Sequence, residues 1–128
     1  MNQKRVSNDN ITELAEKEIF VFGSNAQGRH IGGAALQAFV NFGAKEGVGE
    51  GFAGQTYAIP TMEGRESLEA AVRKFVKIAT EYTEYTFLVT KVGCGIAGYD
   101  VSDIAPLFEE TACLPNVYLP LDFFKYYE

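Results

Sequence analysis

The chain has 128 residues, with 11 Lys plus Arg against 17 Asp plus Glu, one His, no Trp and 13 Gly. Its formal charge of −6 excludes a broad nucleic-acid or anionic-membrane surface, because each needs a concentrated Lys/Arg face, but leaves room for a small local anion site. A chain of this length and 47% hydrophobic content is expected to fold as one domain, residues 1–128, without disulfide staples or a structural metal.

The first strand is expected at Ile19-Phe20-Val21-Phe22, an all-apolar run of the kind a sheet covered on both faces requires. It runs into the turn Gly23-Ser24-Asn25. From Gly32, the residues Ala35, Ala38, Phe39 and Phe42 keep i, i+3, i+4 spacing and predict a short amphipathic helix. The glycine-dense stretch 43–54 reads as a loop. A second strand, Thr56 to Ile59, stops at Pro60. Leu68, Ala71, Val72, Phe75, Ile78, Ala79 and Tyr82 then hold one helical face, with Ser67 as the expected N-cap. Phe87 to Thr90 is a third strand, running into the glycine-rich segment 93–99. Asp103 is expected to cap a third helix with Pro106 in its first turn, and Val117-Tyr118-Leu119 closes the chain as a last strand. Alternation of strands and helices predicts a three-layer α/β domain with a mainly parallel sheet between helices.

Cys94 and Cys113 lack CxxC or Cys/His spacing, so free thiols are expected, with no metal and no cofactor. No apolar run approaches a membrane span and the polar N-terminus lacks a signal core, which together predict a cytoplasmic protein.

In open α/β sheets, ligands bind beyond the carboxyl ends of the strands, and here those ends carry the two densest glycine segments. In the first, Ser24 and Asn25 offer polar side chains, and Gly32 and Gly33 open a helix where unpaired N–H groups and the dipole favour an anion. The segment matches neither a Walker A loop nor GxGxxG. In the second, Gly95, Ile96, Ala97 and Gly98 offer further backbone donors and Tyr99 a ring for stacking. Asn25 suits a ribose hydroxyl, but also a turn. Asn25, His30 and Asp100 are the candidates for catalysis, with Arg29 and Lys91 as nearby cations. Cys94, flanked by glycines, reads as a small buried residue rather than a nucleophile, and the aromatic end, Phe123 to Tyr127, as a docked tail.

Three segments taken together resemble the macrodomain family, whose motifs read GDIT, VNAAN, a GGG-V helix start and a G-I-Y-G-Y-like loop. They are Ile11-Thr12-Glu13-Leu14, then Ile19 to Asn25 with Gly-Gly at a helix start, then Gly95-Ile96-Ala97-Gly98-Tyr99. With Gly28-Arg29-His30, Tyr57-Ala58-Ile59-Pro60-Thr61 and Val92-Gly93-Cys94, the likeness is to a phage-associated branch and spans nearly the whole chain. The resemblance implies a mixed, mainly parallel sheet between helices and a cleft for ADP-ribose or a related nucleotide, with no protein partner specified. It implies that Asn25 meets the distal ribose, that Gly32, Gly33, Gly95, Ile96, Ala97, Gly98 and Tyr99 surround the diphosphate, and that Asn10 stands where the Asp of GDIT holds adenine. Ile31 replaces the first glycine of the triplet and is expected to narrow the channel. The positions where hydrolytic members carry Asp are Ala35 and Ala97, so the resemblance implies binding first. Hydrolysis of an ADP-ribosyl ester or a related phosphoester is a second reading, and a phage or host interaction module that has lost its ligand, with an exposed patch near Phe123 and Tyr127, is a third.

Overall fold

The computed structural model describes residues 4–30 and 32–127. Six strands form one sheet in the order β1-β6-β5-β2-β4-β3. They are β1 (Val6–Ser7), β2 (Glu18–Ser24), β3 (Gly51–Ala53), β4 (Thr56–Pro60), β5 (Thr86–Val89) and β6 (Val117–Pro120). Every neighbouring pair is parallel except β3 with β4. The helices are α1 (Gly33–Asn41), α2 (Arg65–Glu81) and α3 (Val101–Ile104), the last continuing as a 3-10 helix over Ala105–Cys113, with a further 3-10 helix over Leu121–Tyr126.

The apolar run of β2 follows from its place at the centre of the sheet. Side chains alternate across a strand, so Ile19 and Val21 enter the larger core while Phe20 and Phe22 enter the smaller one on the opposite face. Alpha2, with Leu68, Val72 and Phe75 fully buried, and the 3-10 helix carrying Phe108 cover the first face; α1, through Ala38, covers the second. The three-layer α/β expectation therefore holds at the level of architecture. Among the described residues, no helix is long and apolar enough to cross a membrane.

Local expectations fail where backbone choices override side-chain preference. Ser67 is not the cap of α2: the helix begins at Arg65 behind Gly64, whose φ of 96° turns the chain into it. Asp103 does not cap α3 either. Asp100 takes the N-cap position, and its N–H donates to Asp103 Oδ2 at 3.1 Å, which places Asp103 one turn inside. Part of the stretch 43–54 is strand β3, pairing Phe52 with Tyr57, and β1 is short enough to leave no periodic signal.

The C-terminal segment is docked. Phe123 is buried in the larger core, and the Tyr127 hydroxyl donates to the Ala105 carbonyl at 2.6 Å. Phe123 and Phe124 thus face the core, while Leu121 and Tyr126 beside them stay exposed.

Candidate functional site

A cleft of about 500 Å³ opens at the carboxyl ends of β2, β4 and β5, within the size range of small-molecule sites. Its walls are Gly23, Ser24, Asn25 and Arg29 on one loop, Gly32 to Ala35 at the start of α1, Thr61 and Met62 after β4, and Thr90, Lys91 and residues 93–97 after β5. Crossing to the next strand at these ends leaves the crevice, and Gly23 lets its walls close up: a Cβ there would stand 3.1 Å from Gly93 N and 3.3 Å from Thr61 Cγ2.

The N-terminus of α1 forms one wall. Leu36 N–H donates to Gly32 C=O at 3.2 Å, so the preceding N–H groups of Gly33, Ala34 and Ala35 come before the first helical bond. Among the described residues no side chain caps them and the first turn holds no acid, which leaves the positive end of the helix dipole uncompensated there. The loop after β5 forms the opposite wall. Its turns are closed by Cys94 N–H to Lys91 C=O, Gly98 N–H to Gly95 C=O and Tyr99 N–H to Gly93 C=O, at 2.9 to 3.1 Å. Among the described residues, the intervening N–H groups of Gly95, Ile96 and Ala97 meet no protein acceptor. Ile96 is 76% exposed, and its Cδ1 would lie 3.6 Å from a Cβ at Gly32, so it bridges the two walls.

The loop between β2 and α1 is rigidly tied. Asn25 Oδ1 accepts from Arg29 N–H and its Nδ2 donates to Arg29 C=O, both at 3.0 Å, and Ala26 N–H donates to Glu63 Oε2 at 2.9 Å. Gly28 and Gly49 interlock this loop with the 44–50 segment. A Cβ at Gly28 would overlap the backbone of Gly47 and Val48, and one at Gly49 would overlap the Asn25 carbonyl and stand 2.7 Å from that of Ala26. Ser24 is buried at the end of β2, where its hydroxyl donates to Asn25 C=O at 3.1 Å.

A second cleft of similar volume adjoins the first, sharing Ala34, Thr90 and Lys91 with it. Ser7, Asn8, Asp9 and Ile11 line one side, Phe20 and Gln37 the floor, and Val89 and Pro120 the rest. Gln37 Nε2 donates to Ile11 C=O, and Ser7 Oγ donates to Val89 C=O at 2.8 Å, so the pocket is braced from within. At the join, Lys91 Nζ lies 2.8 Å from Asp122 Oδ2. That bond raises the Lys91 ammonium above its ordinary pKa and lowers the Asp122 carboxyl below its own. Arg29 makes no ion pair among the described residues, which gives the first cleft an uncompensated cation within an acidic protein.

Of the residues singled out from sequence, Ser24, Asn25, Gly32, Gly33, Gly95, Ile96 and Ala97 line the first cleft together. Gly98 and Tyr99 do not line it; Tyr99 packs on the larger core and both N–H groups are engaged within their own loop. Asn10 lines neither cleft, its N–H donating to Asn8 Oδ1 at 3.1 Å, whereas its neighbour Asp9 lines the second. His30 is a correction of a different kind. It is 2% exposed, packed edge-on to Phe22 with its Nε2 donating to Lys45 C=O at 2.8 Å, and serves the interlocked loops instead of the cleft. Asp100 is a helix cap outside the cleft lining. Thus Asn25, His30 and Asp100 do not converge on one reacting centre. Burial pushes the Cys94 thiol up, against a smaller lowering by Lys91, so it stays protonated at neutral pH. Ile31 falls outside the described residues, and with it the expected narrowing of the channel.

Sequence reasoning missed Thr61, Met62, Thr90 and the whole second cleft apart from Lys91. Thr61 follows one predicted strand and Thr90 ends another, so the strand-end rule pointed to them; Asn8, Asp9 and Gln37 are brought together by tertiary packing alone. No family model, curated protein or solved structure matches the chain.

Proposed function

We propose that the chain is a macrodomain-like module that binds ADP-ribose or a closely related nucleotide diphosphate across the two joined clefts. The observation that carries this reading is the pair of facing donor sets, Gly33 to Ala35 on α1 and Gly95 to Ala97 on the opposite loop, on either side of one cleft. A diphosphate has acceptors along its length and satisfies both sets at once, with Arg29 adding charge. The sugar beyond it reaches Ser24 and Asn25, whose amide keeps one N–H and one lone pair beyond the bonds to Arg29. The base enters the second cleft over Phe20, where Asp9 and Asn8 offer acceptors to an exocyclic amine. Among the described residues, no carboxylate lines the first cleft, in keeping with a site built to hold its ligand.

Calorimetric titration with ADP-ribose, using AMP and ribose 5-phosphate as controls, tests the reading, with ligand-induced thermal stabilisation as a second measure. Micromolar binding of ADP-ribose and far weaker binding of either half is expected. Ala34→Glu places a carboxylate between the helix N-terminus and both clefts and is expected to abolish that binding with the fold intact. Absence of heat and of any thermal shift at millimolar ADP-ribose overturns the reading.

A further inference from the structure

The join between the clefts carries an ion pair whose effect is on selectivity. Resting on the two-cleft reading, we infer that Asp122 acts through Lys91 as a specificity-determining residue, making the site reject nucleotides that carry an additional phosphate on the base-side ribose. Lys91 lines both clefts and so belongs to their join, which in the two-cleft reading is where the sugar linking base to diphosphate passes. Asp122 holds that ammonium at 2.8 Å from the 3-10 helix after β6, and Asp9, on the wall of the second cleft, adds a further negative charge to its surroundings.

Lys91, with Lys125 also acting on Asp122, balances the Asp122 and Asp9 carboxylates, so the join offers no net attraction for an anion. A ribose diol suffers nothing there, since its hydroxyls donate to carboxylate oxygens and accept from the ammonium. A phosphate at the same place meets the Asp9 carboxylate on the cleft wall, and it gains Lys91 only by displacing Asp122. The first cleft, where Arg29 has no carboxylate partner among the described residues, accepts anions for the opposite reason.

The test measures a ratio of affinities, which a general loss of folding does not move. ADP-ribose and its 2′-phosphate are titrated into the protein as it stands and into Asp122→Asn. The unaltered protein is expected to prefer ADP-ribose by tenfold or more, and Asp122→Asn to bring the two ligands level or reverse their order. Adding Lys91→Gln to Asp122→Asn is expected to remove the gain for the phosphorylated ligand, because the released cation is then absent. Equal affinities in the unaltered protein, or a ratio that Asp122→Asn leaves unchanged, overturn the inference while the ADP-ribose reading stands. If ADP-ribose itself fails to bind, the failure lies with that reading.

Discussion

The loop from Asn25 to His30 is tied to the protein through the Asn25 amide, the Ala26 N–H and the His30 ring, whereas the loop from Gly93 to Tyr99 leaves three consecutive N–H groups with no acceptor among the described residues. Both are glycine-rich and both follow a buried parallel strand, yet glycine does different work in each. In the first, Gly28 and Gly49 allow backbone to lie against backbone; in the second, Gly95 has open space where a Cβ would be and leaves its amide accessible. One wall of the site is a fixed frame and the other a donor surface. Binding sites commonly combine a rigid scaffold with loops that carry recognition.

The largest expected effect comes from making the same small substitution in both. Gly49→Ala drives a methyl into the Asn25 and Ala26 carbonyls and is expected to cost about 3 kcal/mol, or roughly 10 °C in Tm. Gly95→Ala meets nothing and is expected to stay within about 0.5 kcal/mol of the parent in thermal unfolding. Similar losses at both positions would break the distinction between frame and donor surface.

Asn25→Ala removes both bonds to Arg29 and is expected to cost about 1 to 2 kcal/mol, with a loss of ADP-ribose affinity of about tenfold or more. Asn25→Asp keeps the acceptor for Arg29 N–H and is expected to recover part of the stability. An Asn25→Ala protein that melts with the parent but binds poorly would make Asn25 a ligand contact alone. Ile96→Ser reverses the pattern: with the side chain largely exposed, no change in Tm is expected, while affinity falls several-fold through loss of cover over the walls.

The same contrast governs how much was legible from sequence. Glycines that open a helix or end a strand carry a local signature, and Gly32, Gly33 and Gly95, read from it, line the first cleft. Gly28 and Gly49 matter because of each other's surroundings, and a one-dimensional pattern does not contain that pairing. His30 shows the cost: beside Arg29 in a polar turn it reads as a proton-transfer group, yet Phe22 and the Lys45 carbonyl claim its ring. Tyr99 and Asp100 err in the same direction, since a residue next to a functional loop is also the residue that anchors it. Strands β2, β4 and β5 were legible because burial on both faces demands continuous apolar runs. The second cleft was not, since Asn8 with Asp9, Gln37 and Lys91 come from three separate stretches of chain.

The smallest expected effect lies where the donor loop meets the C-terminal segment. Lys91 leads into that loop and is held by Asp122 through a half-exposed ion pair, in contrast to the buried contacts that fix the first loop. The bond to Lys91 lowers the Asp122 pKa in the folded protein, so the folded state binds fewer protons there than the unfolded chain. Its stabilisation is therefore complete above the unfolded carboxylate pKa and is lost as pH falls through the lowered folded value. Thermal unfolding of the parent and of Asp122→Asn is expected to differ slightly at neutral pH, less at high salt, and not at all once acid has protonated Asp122. A difference that persists in acid would mean that Asp122 holds the donor loop through something other than its charge, and the two loops would then be anchored alike.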